Sequence, residues 1–280
     1  MSGHSTTKNR TRILLVVGMM LAGAAAVSTE AQQPSAQAPR APSIYDGVLG
    51  NAGSSRELST TELQQALAQS AAIVLDARPY EEYAVSHIPG ARSVRGKPGT
   101  TPALYVADVS EIAESLPDKA QPLIAYCNGL FCGRSERFAE DLMGIGYLNV
   151  SRYQLGAPGW RALGGVMQVE KPALLRLLEQ DKTSVLIDGR AQADLKAPLR
   201  NAVSIPLHDA SKAKDDGRLP MTDHNTRIFV VGDTGAEARA VAEAIVHNAF
   251  HNVAFFDGTL SDLPELLDVE TLNGARETPG

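Results

Sequence analysis

Leu123-Ile124-Ala125-Tyr126-Cys127-Asn128-Gly129-Leu130-Phe131-Cys132-Gly133-Arg134-Ser135 carries both cysteines of the chain. The stretch reads as a buried strand that runs into a glycine-containing loop and then opens a helix. A cysteine at such a junction faces backbone N–H groups and the positive end of a helix dipole, with Arg134 close behind. Those features favour a thiolate over the thiol, whose ordinary pKa is about 8.5, and so turn sulfur into a nucleophile.

Working outward, the sequence repeats itself about a division near Gly164-Gly165. Ile73-Val74-Leu75-Asp76-Ala77-Arg78 matches Val185-Leu186-Ile187-Asp188-Gly189-Arg190, and Leu123–Cys127 matches Ile228–Gly232. Helix-like runs over Ser135–Met143 and Ala238–Val246 follow, and Asn149-Val150 and Asn252-Val253 each start another strand. Ser59 or Thr60 ahead of Glu62 marks the first helix start. Alternating short apolar strands and amphipathic helices predict an α/β fold, with a mainly parallel sheet flanked by helices in each copy.

The repeat is an internal control. Cys127 to Asn149 is a step of 22 residues, whereas Gly232 to Asn252 is 20, so the first copy carries two extra residues in its loop. Gly232 replaces the nucleophile in the second copy and Glu237 stands near the position of Arg134. That copy cannot run thiol chemistry.

These residues resemble the rhodanese family of sulfurtransferases. Asp76-x-Arg78, Tyr80-Glu81-Glu82-Tyr83 and His87-Ile88-Pro89-Gly90-Ala91 look like its first signature. Tyr126-Cys127 and Gly156-Ala157-Pro158-Gly159-Trp160 look like its active-site strand and closing signature. The second copy keeps Asp188-x-Arg190 and Asn201-Ala202-Val203-Ser204-Ile205-Pro206. The resemblance implies two rhodanese-like domains packed as a pseudo-twofold pair: an active one over 54–166 and an inactive one over 167–272. The family's usual loop, Cys-x-x-Gly-x-Arg-Ser, is kept in length by Gly232–Ala238, while the first copy is longer and adds Cys132.

The resemblance further implies transfer of sulfane sulfur from a donor such as thiosulfate, through a persulfide on Cys127, to a thiol or cyanide. Cys132 is then a resolving thiol or relay, or itself the nucleophile. Arg134, Gly129, Gly133 and Ser135 are the expected binders of a small anionic donor. Two other readings stay open. The longer loop suits thiol–disulfide exchange or a phosphate- or arsenate-sized oxyanion, and a tandem of such domains also suits a non-catalytic binding module. A loop closed over so few residues is a weak staple, which favours a reactive over a structural cysteine pair. Asp76 and Arg78, retained in the inert copy, read as architectural, His87 as a loop anchor or catalytic group, and Trp160 as core.

With 280 residues, a net charge of -6 and 44% hydrophobic residues, the chain is globular and unsuited to nucleic acid. His208, His224, His247 and His251 form no metal-ligand spacing with the cysteines, and no phosphate-binding glycine motif is present, so no metal or cofactor is expected. Lys8, Arg10 and Arg12 precede an apolar run from Ile13 to Val27, with a cleavage point after Ala31. Residues 1–31 therefore read as a signal peptide, 32–53 as a flexible linker and 273–280 as a disordered tail. The expected location is periplasmic or secreted, with no stable membrane association after cleavage, although a retained anchor is an alternative.

Overall fold

The structure, a computed structural model, describes residues 54–191 and 198–267. The signal-peptide, linker and tail readings lie outside the described residues. In the first copy the elements run β1 (Arg56–Glu57), α1 (Thr60–Ala68), β2 (Ile73–Asp76), α2 (Tyr80–Val85), β3 (Arg92–Ser93), α3 (Val109–Ser115), β4 (Leu123–Tyr126), α4 (Arg134–Gly144), β5 (Val150–Tyr153) and α5 (Gly156–Ala162). The second has β6 (Met167–Val169), α6 (Lys171–Gln180), β7 (Val185–Asp188), β8 (Ala202–Ser204), β9 (Ile228–Val231), α7 (Gly235–Val246) and β10 (Val253–Phe256). Each copy builds a five-stranded sheet, in the orders β1-β5-β4-β2-β3 and β6-β10-β9-β7-β8. Every strand pairing is parallel, as short strands linked by helices require.

Both sheet faces are covered, which is why the strands read as continuous apolar runs. Leu123 and Ala125 of β4 enter a core with Leu75, Phe138 and Leu142 on one side of the first sheet. Ile124 and Tyr126 point to the other side, into a core that also holds Met167, Leu186, Phe229 and Ala254 of the second copy. The alternate residues Ile228 and Val230 of β9 fill a third core with Val241 and Ile245. One apolar core therefore joins the copies. Polar bonds reinforce it: His87 and Gln168 exchange N–H···O bonds of 3.0 and 2.8 Å, and Glu170 N donates to Ala84 O at 2.9 Å.

The strand end beside the loop is fixed by a buried ionic cluster. Arg78 Nη2 donates to Asp76 Oδ2 at 2.6 Å and to Ser86 O at 2.7 Å. Tyr126 Oη, also buried, donates to the same carboxylate oxygen at 2.6 Å and accepts from Ile88 N at 3.1 Å. Burial first, and the Asp76 carboxylate second, push the Tyr126 phenol well above its usual range, so it stays a donor. The second copy repeats the pair, with Arg190 Nη2 2.7 Å from Asp188 Oδ2. Val231 stands at the register position of Tyr126, so the tyrosine link belongs to the first copy alone.

Removing one member of such a buried pair strands the other charge, at a cost of about 3–5 kcal/mol. Asp76→Ala and Asp188→Ala are each expected to lose that much in urea unfolding. Breaking the exposed Arg239–Glu243 pair of α7, with its 2.8 Å contact, should cost under about 0.5 kcal/mol. Equal losses for the buried and exposed pairs would contradict the architectural role.

Candidate active site

Cys127 immediately follows β4 and is 1% exposed, while Cys132 is half-buried above it. Gly129 adopts φ +96°, the left-handed region that favours glycine, and turns the chain back. Cys132 N then donates to Gly129 O at 2.9 Å. This turn brings the cysteine Cα atoms to 6.3 Å, and the two sulfurs are joined as a disulfide. The sequence reading takes so short a loop as a weak staple and the pair as reactive, and a bonded pair is compatible with that reading. The two extra residues and the turn at Gly129 supply the geometry that chain-entropy reasoning ignores.

The loop rests on the closing signature. Ala157 N donates to Cys127 O at 3.0 Å, and Gly156 has φ +60°. A Cβ on Gly156 would overlap the Cys127 carbonyl and the Gly129 amide. Ser135, in the first turn of α4, is buried with Oγ 3.2 Å from Cys127 Sγ, and its hydroxyl can donate to that sulfur. Among the described residues between Asn128 and Arg134, Cys132 is the only one whose amide donates to a backbone carbonyl. The first-turn amides of α4 have no helical acceptors, as at any helix start.

The second copy shows what fills the equivalent space. Glu237 Oε2 accepts from Asp233 N at 2.9 Å, and Glu237 Oε1 accepts from Ala191 N at 3.1 Å. A Cβ on Gly232 would lie 3.1 Å from Glu237 Oε2. A carboxylate of the protein's own chain thus occupies the loop where the first copy has sulfur. Thr234 caps α7 by accepting from Glu237 N at 3.2 Å, so this helix starts at Gly235, three residues ahead of the expected start.

Arg134 opens α4 as expected, but its guanidinium is engaged. Arg134 Nη1 lies 3.3 Å from Glu82 Oε1, Nη2 donates to Pro102 O at 3.4 Å, and Cζ is 5.9 Å from the Tyr105 ring centre. Asn128 Nδ2 also donates to Glu82. The arginine expected to bind an anionic donor thus stands paired with the carboxylate of Glu82. Glu82 and Gly156 were not singled out in the sequence, where they are only members of the two quoted signatures. Gly133 is the N-cap residue of α4 and offers no side-chain cap.

His87 sits far from this chemistry in character. It is fully buried and stacked on Tyr83 with ring centres 3.8 Å apart. Nδ1 is 2.9 Å from Tyr83 O, which can only accept, so Nδ1 carries the proton. Burial pushes its pKa from 6.5 down to about 4. The structure thus gives it an anchoring place between the copies. Trp160 is likewise buried, its indole N–H donating to Val166 O at 2.8 Å. Among the described residues no group of three or more His, Cys, Asp or Glu could hold a metal. A concavity of about 770 Å³ between the copies, lined by Gln64, Arg92, Gln168 and Arg239, holds neither cysteine.

The sequence profile of the rhodanese-like domain matches twice, over residues 59–163 and 171–263, more than half the chain. The chain belongs to the rhodanese-like family. No curated protein matches it. Similar solved structures include a thiosulfate sulfurtransferase from Pseudomonas aeruginosa, at 22% identity and TM-score 0.36, covering 77% of this chain and 44% of that one. The chain therefore spans less than half of that protein's length. A Bacillus halodurans protein matches at 25% identity and TM-score 0.35, covering 41% of this chain and 77% of its own. A 3-mercaptopyruvate sulfotransferase from Escherichia coli matches at 18% identity and TM-score 0.33, covering 74% and 99%. In the first rhodanese-like domain of this chain, Cys127, Cys132 and Ser135 converge, whereas Arg134 turns to Glu82.

Two expectations follow. Gly156→Ala adds left-handed strain to a backbone collision and should cost roughly 2 kcal/mol or more, against about 1 kcal/mol for Gly90→Ala, where φ is +79° and nothing lies within 4 Å. Denaturant unfolding of both variants checks this, and equal losses would contradict the loop support. For His87, the unfolded chain binds the proton near pH 6.5 and the folded one near 4. Folding stability should therefore fall as pH drops through that window, by roughly 3 kcal/mol in all. The half-buried Glu170 carboxyl, whose pKa is raised by partial burial, opposes this trend. The difference between wild type and His87→Gln isolates the histidine, and a pH-independent difference would refute its neutral burial.

Proposed function

We propose that the protein is a sulfurtransferase that carries sulfane sulfur as a persulfide on Cys127, taken from a small anionic donor such as thiosulfate. The Cys127 thiolate attacks the outer sulfur of the donor, sulfite leaves, and the persulfide passes its sulfur to a thiol or cyanide acceptor. A thiol reductant must first open the disulfide, since neither paired sulfur is nucleophilic. A periplasmic or secreted location belongs to the same proposal and rests on the signal-peptide reading of residues 1–31.

The contrast between the copies carries the proposal. Equivalent strand-to-helix loops hold Glu237 carboxylate oxygens in one domain and Cys127 in the other. Asp233 N, the loop amide that Glu237 takes, corresponds to Asn128 N in the first copy, a donor open there to a thiolate, a persulfide or a bound oxyanion, whereas Ala191 corresponds to Pro79, which has no N–H. Ser135 adds a hydroxyl donor at the sulfur. Arg134 serves by holding Glu82 and the 102–104 segment at the rim rather than as a free cation.

Cys127→Ser is expected to abolish sulfite formation from thiosulfate, by about a thousandfold or more, as loss of a nucleophile does, with unchanged circular dichroism. An active Cys127→Ser beside an inactive Cys132→Ser would move the nucleophile to Cys132. Gly232→Cys in the Cys127→Ser background should remain inactive in the same assay, because Glu237 fills the loop beside it. Restored turnover would contradict the electrostatic argument.

A further inference from the structure

We propose that Cys132 resolves the persulfide on Cys127, so that this loop releases its sulfur as hydrogensulfide and takes its electrons from an external dithiol. The inference rests on the sulfurtransferase reading and names the acceptor that the reading leaves open. Its ground is the loop itself. The two residues by which the first copy exceeds the second create the turn in which Cys132 N bonds to Gly129 O, and they bring the sulfurs into bonding contact. No such cysteine pair exists in the second copy, where Gly232 and Glu237 occupy the corresponding loop.

Cys127 thiolate and thiosulfate give the Cys127 persulfide and sulfite. Cys132 then attacks Cys127 Sγ, the bond from Cys127 Sγ to the outer sulfur breaks, and its electron pair leaves on that sulfur. The Cys132 thiol proton accompanies it as hydrogensulfide. Two cysteine thiols have been oxidised to the disulfide described here, and the sulfane sulfur has been reduced by two electrons. An external dithiol restores the loop, becoming a disulfide itself. Summed over the cycle, thiosulfate and a dithiol give sulfite, hydrogensulfide and a disulfide.

Exposure sets the direction of the last step. Cys127 is buried at 1% exposure, whereas Cys132 is half-buried on the solvent side. An incoming thiolate therefore reaches Cys132 Sγ, and Cys127 is the leaving group. A leaving sulfur stabilised as an anion leaves faster, so the Ser135 hydroxyl 3.2 Å from Cys127 Sγ also favours regeneration. In this order the dithiol's second thiol frees Cys132 from the mixed disulfide.

The test is a single turnover of the full chain, fully reduced, freed of reductant and mixed with thiosulfate under anaerobic conditions. Sulfite, sulfide and intact protein mass are followed together. Wild type should release sulfide equal to sulfite and end two hydrogens lighter than the reduced protein. Cys132→Ser, and Cys132→Ala as a second variant, should release sulfite only and hold one extra sulfur until a dithiol is added. A wild-type protein that keeps the extra sulfur and yields no sulfide overturns the resolving role but leaves the sulfurtransferase reading standing. Equal sulfide release by the Cys132 variants also overturns it. Absence of sulfite from wild type overturns both.

Discussion

The amides of a strand-to-helix loop must find acceptors, and this chain satisfies that demand in two different ways. In the second domain Glu237 folds back and accepts from Asp233 N and Ala191 N. In the first, a helix without a side-chain cap begins at Arg134, and the space beside its N-terminus holds the sulfur of Cys127. Asn128 and Phe131 of the first loop are exposed, so its amides meet either water or a negative or strongly accepting group. A carboxylate completes it permanently; a thiolate or a bound oxyanion completes it in a way that can change during a reaction.

Everything around Cys127 serves to hold that loop still. Tyr126, the last residue of β4, is tied to Asp76, which is tied to Arg78, which reaches Ser86 O in the next turn of chain. From the other side Gly156 and Ala157 press on the loop backbone, a contact that only glycine allows at position 156. The core shared by both sheets, with Tyr126 and Phe229 in it, makes the second domain a support for the first. The presence of a domain without a nucleophile is understandable in these terms, since its apolar residues share one core with the first domain's sheet.

Much of this was legible in the sequence because it is local or periodic. The apolar runs at Leu123–Tyr126 and Ile228–Val231 and the Asp-x-Arg pairs report directly on buried parallel strands and their ends. The capping box of Ser59 with Glu62 is likewise a matter of neighbours. Arg134 escaped because its partner Glu82 lies 52 residues away, and spacing gives no hint of which carboxylate a helix-start arginine meets. The start of α7 escaped because Thr234 caps it ahead of the apolar periodicity. The cysteine pair stood out by its spacing, but whether the sulfurs meet is decided by the left-handed turn at Gly129, which spacing does not report. The anchoring place of His87 became visible only with its burial against Tyr83.

The account depends on Cys127 being an anion at neutral pH once the disulfide is opened. The direct measurement is the pH dependence of iodoacetamide alkylation at Cys127 in the reduced Cys132→Ser protein, resolved by peptide mass. A rate already at its plateau at neutral pH, falling only in acid, is the predicted result. A rate that climbs through the alkaline range, like that of an ordinary exposed cysteine, would contradict the electrostatic basis of the site.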